Sequence, residues 1–239
     1  KTIFDSRTPV FKKTAKVQEH LYQSFIGWVV ETEQDLPESD SFRLMDFDIE
    51  QNGFTQFMYV LPFSKNKALI EVTRFGNEPI ETTGAEALLQ GYANKNYGEF
   101  KIVSHEVGCI PMSNFEIERN NDSGIFPIGA NGGQIKPSTG YAFKNMYEQS
   151  LVLADCIEND MLSLQTLSQK NKAKPKRFAF YDSILLTILG SRPEKGKSIF
   201  LALCQKNETK MVLKFLDEKT TIWEEVLLFS RLPLVPFLS

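Results

Sequence analysis

The chain has 239 residues, 42% of them hydrophobic, with 19 phenylalanines and a formal net charge of −3. This composition suits one large or two small packed domains, and it excludes a disordered chain, a transmembrane run of 18 apolar residues and a basic nucleic-acid-binding protein. The wide spacing of Cys109, Cys156, Cys204, His20 and His105 excludes a disulfide framework and a metal site, and it indicates a reducing, cytoplasmic compartment.

The first nine residues are predicted to form a short strand that ends in a polar turn. Asp5 lies at this turn, where an aspartate is either an ordinary turn former or a ligand-binding residue. The chain begins with Lys1, and its first methionine is Met45. We therefore expect the sequence to be a fragment whose natural N-terminal part is missing.

Residues 10–112 are predicted to form an antiparallel sheet. Patterns rich in β-branched and aromatic residues predict strands over 23–31, 42–49, 56–63, 67–75 and 99–112. The pairs Asn52-Gly53 and Lys65-Asn66 indicate tight turns between neighbouring strands.

Residues 83–97, between the last two strands, have the spacing of a helix. Thr83 and Glu86 at its start are placed to form a capping box, in which each side chain binds the backbone N–H of the other residue. The chain then returns to the sheet as the last strand.

The strand over 67–75 contains a single acid among mostly apolar residues. The two-residue period of a strand places Leu69, Glu71, Thr73 and Phe75 on one face. A lone glutamate there either points to solvent or is a buried functional acid, and the residues alone leave both interpretations open.

A glycine-rich loop within residues 124–143 joins a short apolar strand to a helix. Its glycines, at positions 129, 132 and 133, can take positive φ and let a ligand approach the backbone. Ser138 and Thr139 are natural N-cap residues. The helical apolar period that follows comprises Phe143, Tyr147, Leu151, Ala154, Ile157, Met161 and Leu164. A helix start at 138–140 would attract an anion, although a tight connection without any ligand has the same pattern.

Residues 169–239 begin with a basic loop and continue as short helices, predicted over 178–189, 198–204, 211–216 and 221–229. Residues 170–219 hold 12 basic and 5 acidic side chains, a balance of +7. A basic segment beside apolar helices fits either attachment to an anionic membrane surface or an ordinary solvated face.

Several segments, in order along the chain, resemble those of the flavin-dependent lycopene cyclases, which close the end rings of carotenoids. The most specific is Gly-Gly-x-x-Lys-Pro-Ser-Thr-Gly-Tyr-Ala-Phe at 132–143, which resembles the flavin-contacting motif of the family. The others are Phe-Asp-Ser-Arg at 4–7, Gln-Ser-Phe-Ile-Gly-Trp at 23–28, Leu-Met-Asp-Phe at 44–47, Leu-Ile-Glu-Val-Thr at 69–73, Gly-Cys-Ile-Pro-Met at 108–112 and the tail at 232–239.

The resemblance implies an α+β chain that is part of an α/β flavoprotein with a flavin hydroxylase-like fold. It divides the chain into the end of an FAD-binding domain at 1–9, an antiparallel-sheet substrate domain at 10–112, a flavin-contacting loop and helix at 113–168, and a C-terminal helical region at 169–239. The nucleotide-binding part of the family is expected to be the segment that this fragment lacks.

The resemblance also implies the activity, a lycopene β-cyclase that isomerises lycopene or a related linear carotenoid at a membrane surface with reduced FAD, NAD(P)H being the reductant. Glu71 matches the family's essential acid, while the second acidic position of the plant motif Phe-Leu-Glu-Glu-Thr is Val72 here, so a carboxylate pair is not implied. The implied cofactor-binding residues are Asp5, Gly129, Gly132, Gly133, Pro137, Ser138, Thr139 and Gly140. The alternatives are a flavin-dependent monooxygenase or other carotenoid-modifying oxidoreductase, and a non-catalytic carotenoid or lipid binder.

Overall fold

The computed structural model describes residues 2–12, 19–118, 124–170 and 175–233. The chain divides into two units, each assembled from stretches that are distant in the sequence. The unit that we call the sheet unit comprises Leu21–Ile110 and Thr187–Phe200, and the unit that we call the helical unit comprises Lys1–His20, Pro111–Leu186 and Leu201–Ser239.

The elements are numbered here in chain order. The strands are β1 (Ile3–Asp5), β2 (Phe11–Lys12), β3 (His20–Glu31), β4 (Arg43–Asp46), β5 (Thr55–Ser64), β6 (Lys67–Gly76), β7 (Lys101–Ser113), β8 (Glu116–Ile117) and β9 (Ile125–Pro127). The helices are α1 (Thr82–Tyr97), α2 (Phe143–Glu158), α3 (Leu164–Lys170), α4 (Lys176–Ser191), α5 (Gly196–Gln205), α6 (Thr209–Leu216) and α7 (Ile222–Phe229).

The sheet unit is built on a five-stranded sheet with the strand order β4-β5-β6-β3-β7. Strand β6 pairs antiparallel with β5 on one side and with β3 on the other. Asn52 and Gly53 have φ values of 48° and 80°, the left-handed backbone that a tight turn requires at this Asn-Gly pair. The predicted strands and both predicted turns are therefore confirmed.

The two faces of this sheet differ in what covers them. One face packs against α1 through a core that includes Ile26, Trp28, Met58, Ile70 and Val72 from the strands and Ala85, Leu89 and Ala93 from the helix. The other face carries Phe57 and Phe75, which pack with Phe47 and Phe200 at ring-centroid distances of 5.3 to 6.4 Å. The predicted alternation along the strands is confirmed.

Helix α1 forms where it was predicted, but the predicted capping box is wrong. The helix begins at Thr82, its N-cap is Glu81, and no side chain caps it. Thr83 and Glu86 consequently lie inside the helix rather than at its capping positions, so the burial of the helix face against the sheet is what stabilises α1.

The helical unit contains two small strand pairs and most of the helices. Strand β1 pairs with β9 in parallel, and β2 pairs with β8 antiparallel. The core of the C-terminal helices consists of Phe178, Leu203, Val212, Phe215 and Leu228. Helix α7 has a complete capping box between Thr221 and Glu224.

Helix α2 does not bury the apolar residues that predicted it. Phe143 is 79% exposed, and Tyr147, Leu151 and Ile157 are each more than half exposed. The side chains that the helix does bury are Gln149 and Cys156. The spacing of the apolar residues therefore predicted the helix correctly. In the structure these residues form an exposed apolar face on α2.

The predicted α+β class, with an antiparallel sheet followed by a helical C-terminal region, is confirmed. The division into four sequence segments stays a prediction. Across the four described ranges, no helix has both the length and the low polarity needed to cross a bilayer. The predicted tail motif at 232–239 lies mostly outside the described residues.

Candidate functional site

Glu71 lies in the middle of the sheet, on β6. Its neighbours in register are Gly27 on β3 and Tyr59 on β5. Gly27 has no side chain, and a Cβ atom added there would stand 3.4 Å from the Cβ of Glu71 and 3.0 Å from Cδ1 of Leu69. Glu71 is therefore flanked by Tyr59 on one strand and, on the other, by a glycine whose lack of a side chain lets Leu69 and Glu71 pack against it.

The surroundings of Glu71 favour its neutral form. The residue is only 9% exposed, and burial raises the pKa of its carboxyl group to about 7, with a smaller contribution from the negative charge of Glu106. The Thr73 hydroxyl donates a hydrogen bond of 2.9 Å to Oε1 and opposes this rise. A substantial fraction of Glu71 thus holds a proton near neutral pH, and the solvent-facing alternative is wrong.

The face around Glu71 is apolar and partly open. Leu61 follows Tyr59 along β5 on this face and is 40% exposed, and Phe63, at the register irregularity between Pro62 and Ser64, is 60% exposed. Strand β4 contributes Leu44, whose neighbour Arg43 turns the other way and binds the hydroxyl of Tyr92 on α1. Together these residues form an exposed hydrocarbon surface beside a buried acid.

The glycine-rich loop in the helical unit needs its glycines for two different reasons. Gly129 and Gly133 have φ values of 54° and 72°, which only glycine adopts easily. At Gly132 the reason is space, because a Cβ atom there would stand 2.7 Å from Nε2 of Gln149. The Oε1 atom of the same glutamine accepts a hydrogen bond of 2.8 Å from the Gly129 N–H. Sequence reasoning missed Gln149, which fastens the loop to α2.

The predicted capping by Ser138 and Thr139 is wrong. The Ser138 hydroxyl donates to Oδ1 of Asp182 at 2.5 Å, and the Thr139 hydroxyl accepts from the Tyr141 N–H. Gly140 takes a φ of 68° and its N–H closes a turn on the carbonyl of residue 136. This turn delays the helix, so α2 begins at Phe143 without a side-chain cap, and residues 138–140 are not a helix N-terminus.

A buried ion cluster lies directly under the loop. Lys136 is 1% exposed, and its Nζ atom is 2.7 Å from Oδ1 of Asp182 and 3.2 Å from Oε1 of Glu218. The ammonium group also lies 5.8 and 5.7 Å from the ring centroids of Phe178 and Phe215. Burial raises the pKa of Asp182, while Lys136 and the Ser138 hydroxyl lower it. Sequence reasoning missed this cluster, since nothing in the sequence pairs a loop lysine with acids 46 and 82 positions later.

A cleft of about 400 Å³ opens beside the loop within the helical unit. Of the predicted cofactor-binding residues, Gly133 and Pro137 line it, together with Asp182 and Glu218. Its apolar lining is contributed by Phe11, Phe115, Ile117, Ile135 and Phe178. This volume lies in the range of small-molecule and cofactor pockets, and the mixture of rings and a few polar groups is typical of them.

Asp5 ends β1, which pairs with the strand that leads into the glycine loop. Its backbone carbonyl accepts from the Ile128 N–H at 2.9 Å, and its carboxylate accepts from Nε and Nη2 of Arg7. These bonds from Arg7 lower the pKa of Asp5 to about 2. Asp5 is therefore an ionised residue beside the loop, with its carboxylate already held by a neighbour.

Comparison with known proteins identifies the family. The model of the family described as "Lycopene cyclase protein" matches residues 1–239. A lycopene beta-cyclase of a Paracoccus species is 29% identical over 54% of this chain and 35% of its own length. A second, from Pseudescherichia vulneris, is 29% identical over 48% of this chain and 30% of its own length. The chain thus aligns with about a third of the length of these relatives.

Solved structures show a weaker likeness. A p-nitrophenol 4-monooxygenase from Pseudomonas putida is 10% identical, with a TM-score of 0.46 over 95% of this chain and 58% of that one. A geranylgeranyl bacteriochlorophyll reductase-like protein from Thermoplasma acidophilum is 12% identical, with a TM-score of 0.45 over 91% and 53%. TM-scores below 0.5 do not establish a common fold, so the family model decides the assignment. The chain belongs to the lycopene cyclase family.

Proposed function

We propose that the whole protein is a lycopene β-cyclase, which closes the ends of a linear carotenoid into β-ionone rings with no net redox change. The observation that carries the proposal is Glu71, a buried carboxyl group that retains its proton near neutral pH and lies on an apolar sheet face. The hydrocarbon surface of Leu44, Leu61 and Phe63 suits a long apolar chain better than a polar substrate.

The chemistry requires a proton to be delivered to carbon. A terminal carbon–carbon double bond is a weak base, so the donor must be a neutral acid whose pKa lies near the working pH. Glu71 meets this requirement because burial disfavours its charged form. Protonation of the terminal double bond creates a cation, the next double bond attacks it, and loss of a ring proton restores a neutral product.

FAD is the proposed cofactor, with NAD(P)H as its reductant. The residues proposed to hold the flavin ring are Gly133 and Pro137 on the wall of the cleft, with Gly129, Gly132, Ser138, Thr139 and Gly140 in the loop behind it and Asp5 beside it. The observed fit is a cleft of about 400 Å³ against a loop in which Gly129, Gly133 and Gly140 have positive φ. When bound, the reduced flavin would supply negative charge that favours the cationic stage of the reaction.

The test is an anaerobic assay of the full-length protein with reduced FAD and lycopene in liposomes, with cyclic products separated by chromatography. We expect Glu71→Gln to lower the rate by about 10²–10⁴-fold, because glutamine keeps the shape and loses the proton. Glu71→Asp should retain a small part of the activity, since its acid is about one methylene short. Glu78→Gln, at an exposed carboxylate after β6, is the matched control. A Glu71→Gln enzyme as fast as the wild type would refute the proposal.

We also propose peripheral attachment to a membrane through α7. Its outer face exposes Ile222, Trp223, Val226 and Leu227, and Trp223 is 83% exposed. The inner face buries Leu228 and Glu225, which anchor the helix to its unit. An exposed tryptophan among aliphatic side chains is typical of helices that lie in the lipid headgroup region, and the +7 balance of residues 170–219 attracts anionic lipids.

Flotation of the protein with anionic liposomes tests this attachment. The wild type should float with the vesicles, and added salt should weaken the binding. The double variant Trp223→Ser and Val226→Ser should bind at least about tenfold more weakly. Phe143→Ser is the matched control, because Phe143 is an equally exposed aromatic residue on α2. Equal loss in the control and the double variant would refute the assignment to α7.

A further inference from the structure

The cyclisation proposed above needs a proton acceptor as well as a donor, and the family motif does not supply one here. Residue 72, the second acidic position of the related motif, is Val72, and it belongs to the core between the sheet and α1. Adjacent residues of a strand point to opposite faces. The residues two positions from Glu71 on its own face of β6 are Leu69 and Thr73, so β6 supplies no second acid beside it, and the other strands of the sheet are the next candidates.

Strand β7, beyond β3, supplies such an acid. Two contacts show how β7 lies beside β3: the ring of Phe25 covers Gly108, and the rings of Trp28 and His105 meet edge to face at 6.2 Å. Phe25 thus lies opposite Gly108, and Trp28 lies opposite His105. The residue numbers rise along β3 as they fall along β7, so the two strands are antiparallel. In this register the residue opposite Gly27 is Glu106.

We propose that Glu106 is the base of the reaction, which accepts the proton that the newly closed ring releases. The proposal rests on the function proposed above and assigns a second residue to the same site. Glu71, Gly27 and Glu106 form one row across β6, β3 and β7, on the face opposite α1. Glu106 is exposed, and its charge acts on Glu71 across this row.

Gly27, between the two carboxyl groups, lets the side chains of Leu69 and Glu71 lie directly against β3. Two strand spacings separate the α-carbons of Glu71 and Glu106, a distance of about 9.5 Å. A side chain at position 27 would displace the side chains of Leu69 and Glu71, since even a Cβ atom there would stand 3.0 Å from Cδ1 of Leu69 and 3.4 Å from Cβ of Glu71. In glycoside hydrolases two carboxyl groups on either side of the reacting bond divide the roles of acid and base in the same way.

The proton transfers balance. Glu71 gives its proton to the terminal carbon of the polyene and becomes a carboxylate. After ring closure, a ring C–H bond breaks towards the Glu106 carboxylate, and its electron pair becomes the ring double bond. Glu106 then releases the proton to water, and Glu71 takes up another from water. The product is an isomer of the substrate.

The different surroundings of the two acids assign these roles. Glu71 is buried in an apolar face, whereas Glu106 is exposed, and a difference of this kind separates a proton donor from a proton acceptor. The groups that bear on the protonation of Glu71 are Glu106 on β7, Tyr59 opposite on β5 and the Thr73 hydroxyl on its own strand. Of these, Glu106 contributes a negative charge that favours protonated Glu71.

The experiment measures the pH profile of cyclisation in the full-length protein with Glu106→Gln. We expect the rate to fall by about 100-fold or more, because the base is lost. The high-pH limb of the residual activity should also move to lower pH, because Glu71 loses the charge that raised its pKa. Glu106→Asp should recover part of the rate and keep the limb in place. Glu99→Gln, at an exposed acid just before β7, is the matched control.

The outcomes separate this inference from the function on which it rests. A wild-type protein that forms no cyclic product refutes the proposed function. A wild type that is active and a Glu106→Gln variant with the same rate refute the role of Glu106 alone. A slow variant whose pH limb does not move also refutes it, because a purely structural effect would slow the enzyme without shifting the titration of Glu71.

Discussion

Glu71 in the sheet unit and Asp182 in the helical unit are both buried carboxyl groups, and their partners differ completely. Asp182 has an ammonium group at 2.7 Å and the Ser138 hydroxyl at 2.5 Å. Glu71 has one hydroxyl, from Thr73, and the charge of Glu106 that acts on it is negative. A buried acid with a counter-ion holds a structure together, whereas a buried acid without one keeps its proton and can give it away.

The largest effect expected from this difference concerns the free energy of unfolding. Lys136→Met removes the ammonium group that binds the buried Asp182 and should lower the unfolding free energy by about 3–5 kcal/mol. Glu71→Gln should change it by less than about 1 kcal/mol at about pH 4, because a neutral amide replaces an acid that is then largely neutral in both the folded and the unfolded chain. Urea unfolding followed by circular dichroism gives both values.

Lys12→Met is the control for the loss of a lysine, since Lys12 pairs with Glu118 at the surface. Exposed pairs of this kind contribute about 0–1 kcal/mol. If Lys136→Met were no more destabilising than Lys12→Met, the two carboxyl groups would not differ in the way described.

The pH dependence of stability sharpens the comparison. The pKa of Glu71 in the folded chain, about 7, lies above its ordinary value of 4.5. Its contribution to stability is therefore complete below about pH 4.5 and is lost as the pH rises through about 7. The loss amounts to at most about 3 kcal/mol. Unfolding measured at pH 5 and pH 8 should show this loss in the wild type and a smaller one in Glu71→Gln. Identical losses in both proteins would contradict the assignment.

A smaller effect is expected at Thr73. Its hydroxyl donates to Oε1 of Glu71 and favours the charged carboxylate. Thr73→Val keeps the shape and removes the donor, so the pKa of Glu71 should rise, and the high-pH limb of cyclisation should move up with it. Thr83→Val, at an exposed position on α1, should leave the limb where it is. A downward shift in Thr73→Val would be inconsistent with the hydrogen bond.

The smallest effect concerns helix capping and compares α7 with α1. Thr221→Ala removes the side chain that caps α7 and should cost about 1 kcal/mol of unfolding free energy. Thr83→Ala should cost nothing measurable, because α1 has no side-chain cap. Thermal unfolding of both variants decides the matter, and equal losses would argue against the difference between the two helix starts.

Patterns local in the sequence predicted the sheet unit well. The alternation along β6 put Glu71 on the face opposite α1, because each strand residue points away from its neighbours. The Asn-Gly pair at 52–53 predicted its turn because few other residues tolerate positive φ at both positions. These features depend only on residues that are close in the chain.

Partners that are distant in the chain could not be predicted. Serine is a common N-cap residue, but the hydroxyl of Ser138 donates its hydrogen bond to Asp182, which lies 44 residues later in the chain on α4. The related motif has its second acid at the residue after Glu71, which is Val72 here. The acid that we propose instead, Glu106, lies on β7 and is 35 positions away in the sequence. The capping-box pattern at Thr83 fits the rule and fails, because the helix begins two residues earlier than the pattern requires, with Glu81 as its N-cap.

Because Lys136 is buried, its chemical modification can report how often the helical unit opens to solvent. Amine-reactive reagents modify lysines that meet solvent, and Lys136 is 1% exposed while its charge is held by Asp182 and Glu218. Lys176 and Lys210 lie at the surface of helices of the same unit. In a timed acetylation followed by mass spectrometry, Lys136 should become labelled only as fast as the packed helices open. Its labelling rate would then measure that opening directly, against the rapid labelling of its exposed neighbours.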